Sequence, residues 1–134
     1  AVEDVSQERE ARDLHARAAR FDWVFKASGL ALLELDLQAV ITDANPAFLR
    51  AFGFQRDQLK GRPLAELAQE EDRRALAAEL DRVTSGQRVA RASERRLVAA
   101  DGTVLWARAR TGLVRTARGR PDHLLMVLED VAEA

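Results

Sequence analysis

The last third of the chain is three extended runs separated by two turns, and this pattern limits the fold more than any other feature. Arg88 to Ala99 is followed by Asp101-Gly102, Thr103 to Arg115 by Arg118-Gly119, and Pro121 to Val131 completes the set. Asp-Gly between extended runs is a strong hairpin signal, because both residues tolerate the positive φ angles of a tight turn. The three runs therefore fold back on one another as antiparallel strands. In the last of them Leu124, Met126 and Leu128 point one way while Leu125 and Val127 point the other, so both faces of the sheet call for cover. The middle run sets a face of small residues, Ala107 and Ala109 between Leu105 and Leu113, against a face bearing Val104, Trp106, Arg108 and Arg110. The small-residue face leaves room beneath whatever packs on it.

A second hairpin is predicted earlier, from Leu30 to Leu35 and Ala39 to Asp43 across the polar break Asp36 to Gln38. Helical signals fill the space between the two strand groups. Asn45-Pro46 combines an N-cap side chain with a residue whose φ is already helical. Phe48, Leu49 and Phe52 share a face, and Gly53 ends the segment. Gln55 to Lys60 forms a further turn closed by Gly61, and Pro63 starts another around Leu64, Leu67 and Ala68. Glu70 to Thr84 is a longer helix with Leu76, Leu80 and Val83 as its apolar stripe, stopped at Ser85-Gly86. Glu70, Glu71 and Asp72 point around that helix, not toward one another, and read as charge matched to its positive end. Strands at both ends with helices bunched between them give an α+β fold: a five-stranded antiparallel sheet with short helices on one face.

The first 28 residues contain no Pro and no Gly. Ala11, Leu14, Ala18, Phe21 and Phe25 make one apolar seam opposite a face carrying Glu8, Arg9, Arg12, Asp13, Arg17 and Arg20, the pattern of an amphipathic helix. The expected division is thus a capping or dimerisation helix over residues 1–28 and a core over residues 29–134. The helix, from this chain or a second copy, is expected to cover the outer sheet face, with Leu14, Phe21, Phe25, Trp106 and Met126 in the contact.

Composition narrows the function. Twenty-one basic residues nearly cancel 22 acidic ones, so no global charge draws the chain to nucleic acid or an anionic membrane. The longest apolar run, Leu124 to Leu128, is far short of the roughly 20 residues of a membrane span. A cytoplasmic setting without membrane contact is expected. The absence of cysteine removes disulfides, thiolate metal sites and thiol adducts. The chain starts Ala1-Val2-Glu3 without an initiator Met and reads as a segment of a longer protein.

Four motifs in order carry a resemblance: Asn45-Pro46-Ala47-Phe48 with Gly53-Phe54, Leu59-Lys60-Gly61-Arg62-Pro63-Leu64, Asp101-Gly102-Thr103 with Trp106, and Glu129-Asp130-Val131. The chain resembles, over residues 21–131, a PAS domain of bacterial signalling proteins. The resemblance implies a five-stranded sheet, a pocket between sheet and helices, and flanking segments that transmit signals, with Asp130 at the exit. It also implies dimerisation and an effector domain elsewhere in the same polypeptide, a histidine kinase or a cyclic-di-nucleotide enzyme. The family commonly ends in Asp, Ile or Val, then Thr; here Asp130-Val131 is followed by Ala132, so the exit is made differently.

Pocket-lining residues expected from periodicity are Phe48, Phe52, Leu67, Ala107 and Ala109. Covalent flavin is excluded by the missing cysteine. The haem reading lacks a histidine on the longer helix, since the two histidines are His15 and His123, both read as surface residues. A non-covalent flavin or small metabolite stays open, and no cofactor is named. Trp106 reads as an outer-face packing residue and Asn45 as a helix cap. Arg88, Arg91, Arg95, Arg96, Arg108 and Arg110 read as a solvated face, because acidic residues interrupt them and aromatics do not interleave. No paired carboxylates, nucleophile with base, or metal cluster marks an enzyme. Two readings follow: a sensory module whose ligand biases its flanking helices, or a ligand-free dimerisation scaffold.

Overall fold

A computed structural model describes residue 20 and residues 22–86 and 92–130. The strands are β1 (Ala31–Leu35), β2 (Ile41–Ala44), β3 (Ser93–Val98), β4 (Val104–Arg115) and β5 (Pro121–Asp130). They form one antiparallel sheet in the order β2-β1-β5-β4-β3, so the first and last strands lie side by side at its centre. The helices are α1 (residues 22–27), α2 (Pro46–Phe52), α3 (Arg56–Leu59) and α4 (Arg73–Thr84), with 3-10 turns at Leu64–Leu67 and Glu70–Asp72.

Local chemistry accounts for the element ends. The β1–β2 connection is an Asx turn: the Asp36 carboxylate accepts the N–H groups of Gln38 at 2.8 Å and Val40 at 3.0 Å. The turn holds Ala39 at φ 63°, the left-handed region that glycine usually fills. Gly53, at φ 77°, closes α2 by donating its N–H to the Leu49 carbonyl. The Asp101-Gly102 turn forms as expected, with the Ala99 N–H donating to the Thr103 carbonyl at 2.8 Å. The helix expected from Glu70 instead begins with a 3-10 turn, and its α-helical part runs from Arg73.

The core lies between the sheet and α2–α4. Leu33, Leu35, Leu124, Met126 and Leu128 supply the sheet side, and Phe48, Phe52, Leu59, Leu76 and Leu80 the helical side. Both sheet edges are covered. On β2, the Ile41 N–H donates to the Arg62 carbonyl and the Gly61 N–H to the Ile41 carbonyl. On β3, the Gln69 N–H donates to the Arg96 carbonyl at 2.8 Å, and the Arg96 N–H donates to the Asp72 carboxylate at 2.8 Å. Covered edges leave no ladder for a second chain to extend.

Met126 corrects one expectation. It is 2 % exposed and belongs to this core, so it is not available for a contact on the outer face. Alternation along β5 separates two apolar sets but does not say which the helices cover.

Candidate functional site

The five residues expected to line a pocket come together. Phe48, Phe52, Leu67, Ala107 and Ala109 all belong to the buried cluster, and the two phenyl rings stack with centroids 4.4 Å apart. The small alanines of β4 are buried beneath the helical layer. All five are buried between the sheet and the helices.

A polar corner adjoins them. Glu79 of α4 is 5 % exposed, accepts a hydrogen bond from the Ser93 hydroxyl at 2.9 Å, and forms an ion pair with Arg95, whose Nη2 lies 3.5 Å away. Ser93 and Arg95 stand opposite Ala109 and Ala107 in the β3–β4 register. Sequence reasoning passed over Glu79, although it interrupts the stripe of Leu76, Leu80 and Val83 and so had to be buried.

Asn45 does more than cap α2. It is fully buried, and its Oδ1 accepts the N–H of Phe48 at 3.0 Å and that of Leu32 at 2.9 Å, while its Nδ2 donates to the Leu30 carbonyl at 2.8 Å. One side chain therefore ties the start of α2 to the start of β1.

The opposite face of the sheet carries Trp106, 44 % exposed, as its alternation with Ala107 requires. The Arg96 guanidinium lies over the indole, 5.4 Å from the ring centroid. Asp72 holds that guanidinium in a two-point grip, at 2.9 Å to Nη2 and 3.2 Å to Nε. These bonds from Arg96, side chain first and then backbone, hold the Asp72 carboxyl at about 2 and push the Arg96 guanidinium up. Asp72, at the N-cap position of α4, thus does more than match the helix dipole. It is a clamp between the start of α4 and the outer face, and its partner, 24 residues away, could not be found by local pattern.

The remaining expected residues fall as follows. Leu14, Phe21 and His15, like Arg88 and Arg91, lie outside the described residues. Phe25 of α1 is 3 % exposed yet outside the core cluster. His123 is half-buried beside Asp122, not fully on the surface. Asp130 is the last described residue and pairs with Ala107, so the chain leaves β5 level with the start of the small-residue stretch. Of the expected basic face, Arg95 and Arg96 are engaged by Glu79 and Asp72, and Arg108 by Glu94 at 3.2 Å. Among the described residues, no three His, Asp or Glu side chains gather as a metal site.

A cleft of about 300 Å³ opens where α2 meets the ends of β1, β4 and β5. Leu30, Phe52, Leu105, Trp106 and Glu129 line it, with small residues of α2 and β1 between them. Trp23, Val24, Leu30, Val104 and Trp106 are large apolar side chains left exposed, and Leu30 and Trp106 of these line the cleft.

The sheet order, the helical block between β2 and β3, and the capped α2 are those of the PAS fold, whose family model matches residues 20–131. The chain belongs to the PAS family. Over 120 residues this PAS domain is 25 % identical to the sensor histidine kinase TmoS of Ectopseudomonas mendocina, a match covering 90 % of the chain and 12 % of the kinase. Over 109 residues it is 28 % identical to the probable diguanylate cyclase DgcE of Escherichia coli, covering 81 % of the chain and 10 % of the cyclase. The PAS domain therefore spans only a small fraction of the length of these relatives. In structure it is similar to the PAS domain of a Colwellia psychrerythraea protein, with a TM-score of 0.75 at 21 % identity over 90 % of this chain and 98 % of that one. Both relatives carry the names of signalling proteins. No described helix is long and apolar enough to cross a membrane.

Proposed function

We propose that this PAS domain is a cytoplasmic sensory and dimerisation module of a longer bacterial signalling protein, itself non-catalytic. It controls an effector domain in the same polypeptide, a histidine kinase or a cyclic-di-nucleotide enzyme. The observation that carries the reading is Trp106, on the sheet face away from the helices and 44 % exposed. Residues 1–28 form the capping or dimerisation helix, and residues 29–134 the core. Leu14, Phe21, Phe25 and Trp106 make the contact, and the signal leaves through Asp130. A ligand, where one acts, enters among Phe48, Phe52, Leu67, Ala107 and Ala109. It must bind two arrangements of sheet and first helix unequally, since equal affinity shifts nothing.

A second reading has its own support. Phe48, Phe52, Ala107 and Ala109 all lie in the buried core cluster, with the two phenyl rings stacked on each other. This favours a scaffold that holds two effector copies in register without sensing a small molecule. Native mass spectrometry of the purified protein, with an absorption spectrum, separates the readings. A dimer with added mass supports the sensor, a dimer of bare chains supports the scaffold, and a bare monomer overturns both.

A further inference from the structure

The cleft between α2 and the ends of β1, β4 and β5 carries, at Trp106 and Glu129, chemistry that the core packing does not use. It joins an aromatic wall to a hydrogen-bond acceptor, and a pair of arginines lies next to both. We propose that this surface binds a purine mononucleotide, with the base in the cleft against Trp106 and the phosphate on Arg108 and Arg110. The proposal goes beyond the sensory reading and does not rest on it.

Stacking comes first. Trp106 is held rigid from one side by the Arg96 guanidinium, which Asp72 fixes at two points. Trp106 lines the cleft and Arg96 does not. An aromatic plane immobilised in this way loses little entropy when a base stacks on it. The cleft, about 300 Å³ and walled by Phe52 and Leu105, suits one flat heterocycle with the rest of the molecule outside it.

Polar recognition follows from Glu129. It is the one ionisable side chain lining the cleft, it is exposed, and it has no hydrogen-bond or ion-pair partner among the described residues. A carboxylate there, between a base in the cleft and a phosphate on Arg108 and Arg110, accepts from the ribose hydroxyls, which lie between the two in a nucleotide.

Glu129 also lines a second recess of about 150 Å³, shared with Arg108, Arg110 and Val127. The two recesses meet at this residue. Strand alternation puts Trp106, Arg108 and Arg110 on one face of β4, with Arg108 about 6.6 Å and Arg110 about 13 Å from Trp106 along the strand. That interval suits the reach from a base to its 5′ phosphate. Arg110 has no ion-pair partner among the described residues, and the Arg108–Glu94 pair is solvent-exposed and readily exchanged. Arginines meet a phosphate through two-point hydrogen bonds. Because Trp106 cannot face a base and a second copy of the chain at once, nucleotide binding and dimerisation through this face oppose each other.

The test is an NMR titration of the isotope-labelled chain with AMP, adenosine and inorganic phosphate as separate probes. The expected result is saturable movement of the Trp106 indole N–H and the Glu129 and Arg110 amides with AMP, weaker binding of adenosine, and no saturation by phosphate alone. Trp106→Ala should weaken AMP at least tenfold. Arg110→Gln should bring AMP down to the affinity of adenosine. Both positions are exposed, and an unchanged amide spectrum of each free variant confirms its fold. No saturable AMP binding in the millimolar range, phosphate binding as tightly as AMP, or wild-type AMP affinity in Trp106→Ala would each overturn the assignment.

Discussion

Asn45→Ala removes three hydrogen bonds at the point where α2 is joined to β1, and its cost can be worked from the partners each bond leaves behind. Loss of the N-cap bond to the Phe48 N–H costs about 1 kcal/mol. The Leu32 N–H is a different matter, because its residue is buried and no water replaces the lost acceptor. A stranded buried donor costs about 2 kcal/mol. The Leu30 carbonyl belongs to a half-exposed residue and finds water, so it adds little. The total is about 3 kcal/mol, a large share of the 5–15 kcal/mol typical of a domain. In urea, with a slope of about 1.5 kcal/mol per molar, the midpoint should fall by about 2 M. Asn45→Asp sharpens the test, since it keeps both acceptor bonds but turns an oxygen toward the Leu30 carbonyl and places a charge in a buried site. It should destabilise at neutral pH despite remaining a good N-cap. If Asn45→Ala moved the midpoint by less than about 0.3 M, or if Asn45→Asp matched the wild type, the clamp between α2 and β1 would carry no weight and the reasoning would fail.

Asp72 has a folded pKa of about 2 against an ordinary 3.8, so its contribution is present above the ordinary value and is lost as pH falls toward 2. Wild type should therefore lose stability between about pH 4 and pH 2 relative to Asp72→Asn, with the two curves converging below that window in acid denaturation followed by circular dichroism. Ala39 and Gly53 should respond in opposite directions. Ala39→Gly relieves a left-handed alanine and should raise the thermal midpoint slightly, whereas Gly53→Ala should lower stability by about 1 kcal/mol. A Cβ at Gly53 meets the Ala100 Cβ at an ordinary 3.7 Å, so any larger loss would mean that conformation alone is not the cause. Leu14→Asp and Phe21→Asp should weaken dimerisation while leaving the core folded, and an unchanged mass by light scattering in both variants would count against the helix as the contact.

What could be read from the chain alone was what local chemistry dictates. Asn45-Pro46, Gly53 and Asp101-Gly102 announce a cap, a stop and a turn through residues adjacent in sequence, and all three stand where expected. The alternation in β4 separated Trp106 from Ala107 and Ala109 for the same reason, since a strand's period is fixed at two. Met126 escaped because period two distinguishes faces without naming them. Asp72 escaped because its partner Arg96 lies on another element, and a run of three acidic residues beside a helix start has an adequate local explanation. The second half of Asn45's role, its bonds to Leu30 and Leu32, is likewise set by topology. The missed Glu79 was the exception, for a carboxylate within an apolar stripe is a visible request for a buried partner, met by Ser93 and Arg95.

The central placement of β1 beside β5 has a mechanical consequence. Ala31, where the chain enters the sheet, is paired with Leu128, close to where it leaves, and the two strands run in opposite directions. Entry and exit therefore lie a strand's width apart at one end of the sheet, whatever fills the rest of the domain. Spliced into a longer polypeptide, such a unit adds almost nothing to the distance between its neighbours and behaves as a folded side loop. Tension along the polypeptide would also reach the two middle strands first and open their ladder one rung at a time, like a zip pulled from its tab. A small turn or separation of the two flanking segments is thus delivered to the centre of the sheet, with the outer strands and helices loaded only afterwards.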